Sequence, residues 1–352
     1  MKTLPVKVRG TSNDVKGGYN RWTRVYVENS VVLGTLMPTT SASAVVVIPS
    51  RFGSSRLPGK PLLRMLGGAP MIAHVVRAAL GARSVSRVFV ATDHEEIAVA
   101  AARAGAETVM TDKAIQTGTD RVAAAMRLTQ TSADIVVNVQ GDEPLIEPES
   151  IDLAVRLLLE QPQADIATLS APLPLSALLD PSKVKVVCSS IARELAHETD
   201  EPGPRTRNGA NALFFSRAPI GVDRETLRAL MQSHMGSSHR ADGTDAVAAM
   251  DLPLSHACRL HVGLYAFRSA ALLRFVALPP SRLERLEQLE QMRALEDGMR
   301  IVIGEVDHVS RGVDTVDDLE ALEARWRADR GLRESLRTWL TDNGYAGRGA
   351  FP

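Results

Sequence analysis

The 352-residue sequence predicts an α/β fold, a mostly parallel mixed sheet with helices on both faces. Two observations predict it. From residue 44, short runs of consecutive apolar residues alternate with segments of helical spacing, and strands apolar on both sides need cover on both faces. Apolar residues make up 45% of the chain, enough for a sizeable core.

Residues 1–43 show no clear period and are rich in Ser, Thr, Gly and Asn. They are expected to be a disordered arm, or an extension upstream of a start at Met37. "AVVVIP" from Ala44 reads as the first strand. "PMIAHVVRAALGA" (70–82) has helical spacing and ends at a glycine. "RVFVAT" (87–92) is the next strand. "DHEEIAVAAARAG" (93–105) follows as a helix with Asp93 as N-cap and Glu96 three residues later. "ETVM" (107–110) is a short strand, "TDRVAAAMRLT" (119–129) a helix, "DIVVNVQ" (134–140) a strand and "EPESIDLAVRLLLE" (147–160) a helix.

Beyond that the pattern is less regular. "KVKVVCS" (183–189), "NALFFS" (211–216), "RLHVGLYAF" (259–267) and "RIVIGEV" (300–306) read as strands. "SRLERLEQLEQMRALEDG" (281–298) reads as one helix with Leu283, Leu286, Leu289, Met292 and Leu295 along one side. The domain is expected over 44–330, with insertions at 189–210 and 222–257. A final helix and tail occupy 331–352.

Lys+Arg and Asp+Glu number 41 each, so no overall field selects nucleic acid or a membrane, and any basic site must be local. The only cysteines, Cys188 and Cys258, make neither a disulfide framework nor a Cys-rich zinc site, which suits a reducing cytosol. His234, His239 and His256 fit no zinc spacing. No apolar run approaches the ~20 residues of a membrane span, and the N-terminus lacks a secretory h-region.

The first strand opens into "PSRFGSSRLPGKPL" (49–62), where open parallel sheets bind ligands. Two phosphate loops fail there. Gly53 and Gly59 are too far apart for G-x-G-x-x-G. For a Walker A loop they are one residue too far apart, and Pro61 stands in place of the metal-binding hydroxyl. What remains is a different phosphate grip, or a solvated basic loop. In the first reading Arg51 offers a fork and Lys60 a point charge to a polyphosphate.

Asp142 follows another strand in "VQGDEPLI" and suits Mg²⁺, which takes one or two carboxylates; a plain turn also fits. In "GVDTVDDL", Thr315 with Asp318 fits an N-cap and leaves Asp314 unexplained. In "QTGTDRV", Thr119 alone reads as an N-cap, although a Gly-flanked hydroxyl loop can also read a pyrimidine edge. His261 and Tyr265, on one face of a strand, fit satisfied core groups. Ser281 with Glu284 fits a capping box, and Glu287 fits helix surface.

In this order "PSRFGSSRLPGKPL", "QTGTDRV", "VQGDEPLI" and "GVDTVDDL" resemble the motifs of the sugar-activating cytidylyltransferases. The likeness is to the branch that activates the 2-keto sugar acid Kdo (3-deoxy-D-manno-octulosonate), over most of 44–325. It implies a Rossmann-like nucleotide-diphospho-sugar transferase fold with a smaller sugar-binding and dimerisation lobe. It further implies a cytoplasmic homodimer that takes CTP and Kdo, uses Mg²⁺ and serves lipopolysaccharide biosynthesis. The implied reaction moves CMP to the anomeric hydroxyl of Kdo and releases pyrophosphate.

By the same resemblance Arg51 and Lys60 are catalytic. CTP is held by them with Pro49, Ser50, Gln116, Thr117, Gly118, Thr119 and Arg121. The sugar is held by Arg56, Gln140, His261, Tyr265, Glu284 and Glu287, and the metal by Asp142 and Asp314. One position departs from the pattern. Leu260 stands where the family carries a basic residue before the histidine, and Arg259, one place earlier in a strand, is expected on the other face. Two other readings stay open: activation of another 2-keto sugar acid, such as sialic acid or an 8-amino Kdo analogue, and a non-catalytic nucleotide-binding paralogue.

Overall fold

The structure is a computed structural model that describes residues 23–27, 30–34, 42–53, 57–174, 177–189, 209–228, 231, 258–307 and 312–345. The chain divides into two units, Met1–Ala42 and Ser43–Pro352. In the first, β1 (Thr23–Val27) and β2 (Ser30–Gly34) form an antiparallel hairpin with Val27 opposite Ser30. The rest of that segment lies outside the described residues, with the expectation made of it. So do Arg56, His234, His239, His256 and most of both insertions.

The second unit starts with β3 (Ala44–Ser50), whose side chains alternate between two cores: Val46 and Ile48 face one, Val45 and Val47 the other. A 3₁₀ turn at Lys60–Leu62 and a small pair, β4 (Arg64–Met65) with β5 (Ala69–Pro70), lead to α1 (Met71–Gly81). Then come β6 (Val85–Thr92), α2 (Glu95–Arg103), β7 (Glu107–Met110), α3 (Gly118–Thr129), β8 (Ile135–Asn138) and α4 (Pro148–Glu160). Strands β7, β6, β3 and β8 lie side by side, all parallel. Helices α1, α2 and α4 cover one face and α3 the other. Gly81, read from sequence as a helix stop, has another role. The cap at Ala82 is extended (φ −70°), and a Cβ on Gly81 would sit 2.9 Å from Pro148, so the glycine lets α1 meet α4.

The remaining elements are β9 (Ile166–Ala171), β10 (Lys185–Cys188), β11 (Ala210–Ser216), β12 (Cys258–Arg268), α5 (Ser269–Ala277), α6 (Arg282–Glu287), α7 (Gln291–Glu296), β13 (Ile301–Glu305), α8 (Val316–Ala328) and α9 (Arg330–Asp342). The reading from sequence named neither β9 nor α5. It expected a mixed sheet that is mostly parallel; the sheet is mixed, but antiparallel pairings are as common in it as parallel ones, since β12 runs antiparallel to β8, β9 and β10. Parallel neighbours need crossover helices, and strand–helix alternation stops after α4. Because β10 pairs with both β11 and β12, the strands β10–β11–β13–β9–β12 close on one another as a small partial barrel.

The single helix expected over 281–298 is two. Gln288 takes a left-handed φ of 53° between α6 and α7, and Leu286 is 69% exposed. A stripe repeating strictly every third residue winds around a 3.6-residue helix instead of holding one face. At the C-terminal end, α8 and α9 lay Leu322, Trp326, Leu336 and Leu340 on the α1 side of the sheet.

Candidate active site

Two parallel strands, β3 and β8, end beside each other, and their following loops build a cleft of about 280 Å³. Val139 N donates to Val47 O at 3.2 Å, which carries Gln140–Asp142 up against Pro49 and Ser50. The approach is so close that a Cβ on Gly141 would lie 2.9 Å from Pro49 O. A third segment joins them: Val313 N donates to Asp142 O at 2.9 Å, docking Asp314 next to Asp142. The capping box of α8 fixes this segment. Asp318 accepts from Asp314 N (3.0 Å) and Thr315 N (2.9 Å), and the Thr315 hydroxyl takes Asp318 N. Burial pushes the Asp318 carboxyl up, but these hydrogen bonds outweigh it and leave its pKa below the usual range.

Lys60 reaches into the middle. Its Nζ donates to Asp142 Oδ2 at 2.7 Å and to Asp314 Oδ1 at 3.0 Å, with only 12% of its side chain exposed. Two carboxylates therefore converge on one cation. Among the described residues no group of three or more metal-ligating side chains forms. A pair of carboxylates still fits Mg²⁺, which keeps several waters and takes substrate phosphates as further ligands. The Ser50 hydroxyl, buried in the same lining, has no hydrogen-bond partner in the structure, as fits a group awaiting a polar ligand.

The predicted Pro49, Ser50, Arg51, Lys60, Gln116, Thr117, Gly118, Arg121, Gln140, Asp142 and Asp314 all line this one cleft. Thr119 does not. The cap of α3 is Thr117, whose Oγ1 accepts from Asp120 N at 3.0 Å. One turn position further on, Thr119 points inward and is fully buried. The cap expected at Asp93 is likewise displaced. The N-cap of α2 is His94, and Asp93 instead accepts from Phe52 N at 3.0 Å and pairs with Arg121 at 3.5 Å. Asp93 thus ties the basic loop to the loop before α3, because Arg121 also donates to Thr111 Oγ1 and Ile115 O. Burial lowers the Arg121 pKa, with Asp93 pulling it back up and Arg51 pushing it further down.

His261, Tyr265, Glu284 and Glu287 are absent from the cleft lining and gather on the partial barrel and α6. His261 and Tyr265 stay neighbours (ring centroids 5.5 Å) although the β12–β9 register shifts between Val262 and Tyr265. Thr168 Oγ1 sits 3.0 Å from His261 Nε2 and within hydrogen-bond reach of Val262 O (3.1 Å) and Leu264 O (2.7 Å). Burial pushes the His261 pKa down to about 3 and the Tyr265 hydroxyl well above its usual value. Glu287 accepts from Ser216 Oγ and Arg217 N. Glu284 closes the α6 capping box and holds Arg293 through both carboxylate oxygens. Tyr265 faces Asn138 across the β12–β8 ladder, which joins this group to the cleft.

Leu260 pairs in register with Lys185, a fully buried lysine not singled out in the sequence. Its Nζ donates to the carbonyls of Asp180, Lys183 and Arg217, and burial lowers its pKa. The signal was there: one lysine inside an otherwise apolar strand, "VKVV". Arg259 is taken up by Ser170 Oγ (3.0 Å) and Glu305 (3.7 Å).

Comparison with known proteins bears on this geometry. A family model described as Cytidylyltransferase matches residues 45–301. The chain is 45% identical over 279 residues to a 3-deoxy-manno-octulosonate cytidylyltransferase of Anaeromyxobacter sp. (strain Fw109-5), covering 79% of this chain and 95% of that one. It is 44% identical over 286 residues to the protein of the same description from Rhodopseudomonas palustris (strain BisB5), covering 80% and 96%. Among solved structures it is similar to a CMP:2-keto-3-deoxy-manno-octonic acid synthetase complexed with CTP. That likeness has a TM-score of 0.64 and 34% identity, and it covers 80% of this chain and 98% of that one.

Proposed function

The chain belongs to the cytidylyltransferase family, and on that premise we propose that it transfers CMP from CTP to the anomeric hydroxyl of Kdo, releasing pyrophosphate. The observation that carries the reading is Lys60 held between Asp142 and Asp314 at the end of β3. Transfer at phosphorus depends mainly on positioning and on neutralising charge. Arg51 and Lys60 take the phosphate oxygens, and Lys60 leaves its carboxylates as the nucleotide enters. The unpartnered Ser50 hydroxyl gives the same phosphates a hydrogen bond. The loop Gln116–Gly118 and Arg121 receive the cytidine. Asp142 and Asp314 would hold Mg²⁺, which supplies Lewis-acid charge at the phosphates and lowers the pKa of an attacking hydroxyl.

On the sugar side Gln140 faces the cleft. Arg56, His261, Tyr265, Glu284 and Glu287 complete the pocket as the resemblance implies, in a cytoplasmic homodimer supplying lipopolysaccharide biosynthesis. Among the described residues no helix is long and apolar enough to cross a membrane. A second reading, another 2-keto sugar acid, is favoured by one observation: Leu260 pairs with the buried Lys185, whose charge is spent on backbone carbonyls. Pyrophosphate release with CTP and Mg²⁺ tests both, with Kdo and sialic acid offered separately. Release with Kdo alone is expected. Release with sialic acid alone transfers the sugar assignment, and silence with both, from folded protein that binds CTP, overturns the Kdo reading in favour of a divergent substrate or a non-catalytic paralogue.

A further inference from the structure

A chain of polar side chains runs from the sugar side of the fold to the cleft. The Thr119 hydroxyl is 2.5 Å from Glu290 Oε1 and donates to it. Asn138 Nδ2 donates to the Thr119 oxygen at 3.3 Å. Gln140 Nε2 donates to Asn138 Oδ1 at 3.4 Å. Thr119 and Asn138 have no exposed surface, so water cannot substitute for any of these partners. Gln140 Oε1 is the end left over. It faces Gly118 across the cleft, where an added Cβ would come within 3.8 Å of it.

Each link has a direction, and each direction forces the next. Glu290 Oε1 is the acceptor, so Thr119 gives its one proton to it. The Thr119 oxygen then offers only lone pairs, and Asn138 must turn its NH₂ toward it. The Asn138 carbonyl is left for Gln140, which must turn its own NH₂ inward. We infer that Glu290 is a positioning residue whose acceptor end, acting through Thr119 and Asn138, fixes the Gln140 amide so that the cleft is offered a carbonyl oxygen. The group it selects is a hydrogen-bond donor, a hydroxyl of the sugar acid, and that part rests on the function proposed above. Burial raises the Glu290 pKa above its ordinary value, with the Thr119 hydrogen bond and Arg293 pulling it back down and Asp120 and Glu284 adding to the rise.

Glu290→Gln keeps the shape and allows the polarity to reverse. With an amide donor at 290, Thr119 can donate to Asn138, Asn138 flips, and Gln140 turns its NH₂ to the cleft. Steady-state pyrophosphate release is measured for wild type, Glu290→Gln, Thr119→Val and Gln140→Ala. The double variant Glu290→Gln/Gln140→Ala completes the set. The expected result is a sugar KM raised about tenfold in Glu290→Gln and Thr119→Val, the size of one mispaired buried hydrogen bond. In Glu290→Gln, which can satisfy every buried partner, CTP KM and Tm stay near wild type, and the substitution has no further effect once Gln140 is alanine; Thr119→Val strands buried partners and lowers Tm as well.

A full effect of Glu290→Gln on the Gln140→Ala background overturns the inference. So does, in Glu290→Gln, a CTP KM that moves in place of the sugar KM, or a loss that follows Tm. Wild-type turnover with Kdo in the same assay reports separately on the proposed function. Hydrogen exchange of the Gln140 side-chain amide, followed by NMR, reads the orientation without turnover. Protection in wild type that is lost in Glu290→Gln supports the chain, and fast exchange in wild type sinks it.

Discussion

Replacing Lys60 by methionine should move two measurements in opposite directions. The Asp142 and Asp314 oxygens lie 2.7 and 3.0 Å from one nitrogen. They are therefore no more than about 6 Å apart, where two full charges at an effective dielectric of about 20 repel by roughly 3 kcal/mol. Their side chains are 33% and 46% exposed, and solvent screening discounts the figure to about 1 kcal/mol. In Lys60→Met the ammonium that offsets this repulsion is gone, and a divalent cation takes over its part. Mn²⁺ binding to the nucleotide-free protein, measured by EPR or calorimetry, should tighten roughly five- to tenfold. Turnover should fall by about 10²–10³-fold, the usual loss when one charge-stabilising donor is removed from a transferring group. Unchanged or weaker Mn²⁺ binding would refute the placing of Lys60 on the cation's seat, and near-normal turnover would refute its catalytic role.

Three further outcomes are expected. Asp314→Asn removes half the carboxylate pair, so the Mg²⁺ concentration for half-maximal rate should rise at least tenfold; an unchanged titration counts against the assignment. His74 is fully buried, with Nε2 3.2 Å from Met65 O, and burial lowers its pKa from 6.5 to about 4. As pH falls, the unfolded chain takes the proton first. Stability from neutral His74 is whole above pH 6.5 and is lost down to pH 4, by up to about 3 kcal/mol. Urea midpoints at pH 7 and 4.5 should differ accordingly, and His74→Gln should flatten the slope; an identical slope in the variant removes His74 from the account. In Gly304→Ala the new Cβ would meet Leu169 at 2.8 Å and Leu157 at 2.9 Å. Overpacking should cost about 1–3 kcal/mol, read as a lower Tm; a wild-type Tm would mean that β13 and α4 are loosely packed.

The first half of the fold was legible because its strands and helices alternate and each writes its own period. The second half was not. The partial barrel comes from strands distant in sequence, and β9 is a short apolar run whose neighbour, β12, lies about a hundred residues away. The basic loop after β3 and Asp142 could be read locally, since both sit at strand ends. Asp314 could not, because its value lies in the Val313–Asp142 backbone bond and in a lysine 254 residues upstream. Capping signals located the helix starts of α6 and α8. They misassigned Asp93 and Thr119, where tertiary partners outbid the local turn: Arg121 for one, Glu290 for the other. Lys185 shows the reverse case, a charge that composition places at the surface and the fold buries.

The Lys60 clasp also sets a clock for the newborn protein. Its two acidic arms emerge from the ribosome far apart, the second about 170 residues after the first, a delay of roughly 10–35 s at ordinary synthesis rates. Until then the growing polypeptide carries the basic strand-end loop with one carboxylate. A messenger cut short before residue 314 yields a chain that still carries the strand-end loop yet lacks the second carboxylate that Lys60 holds.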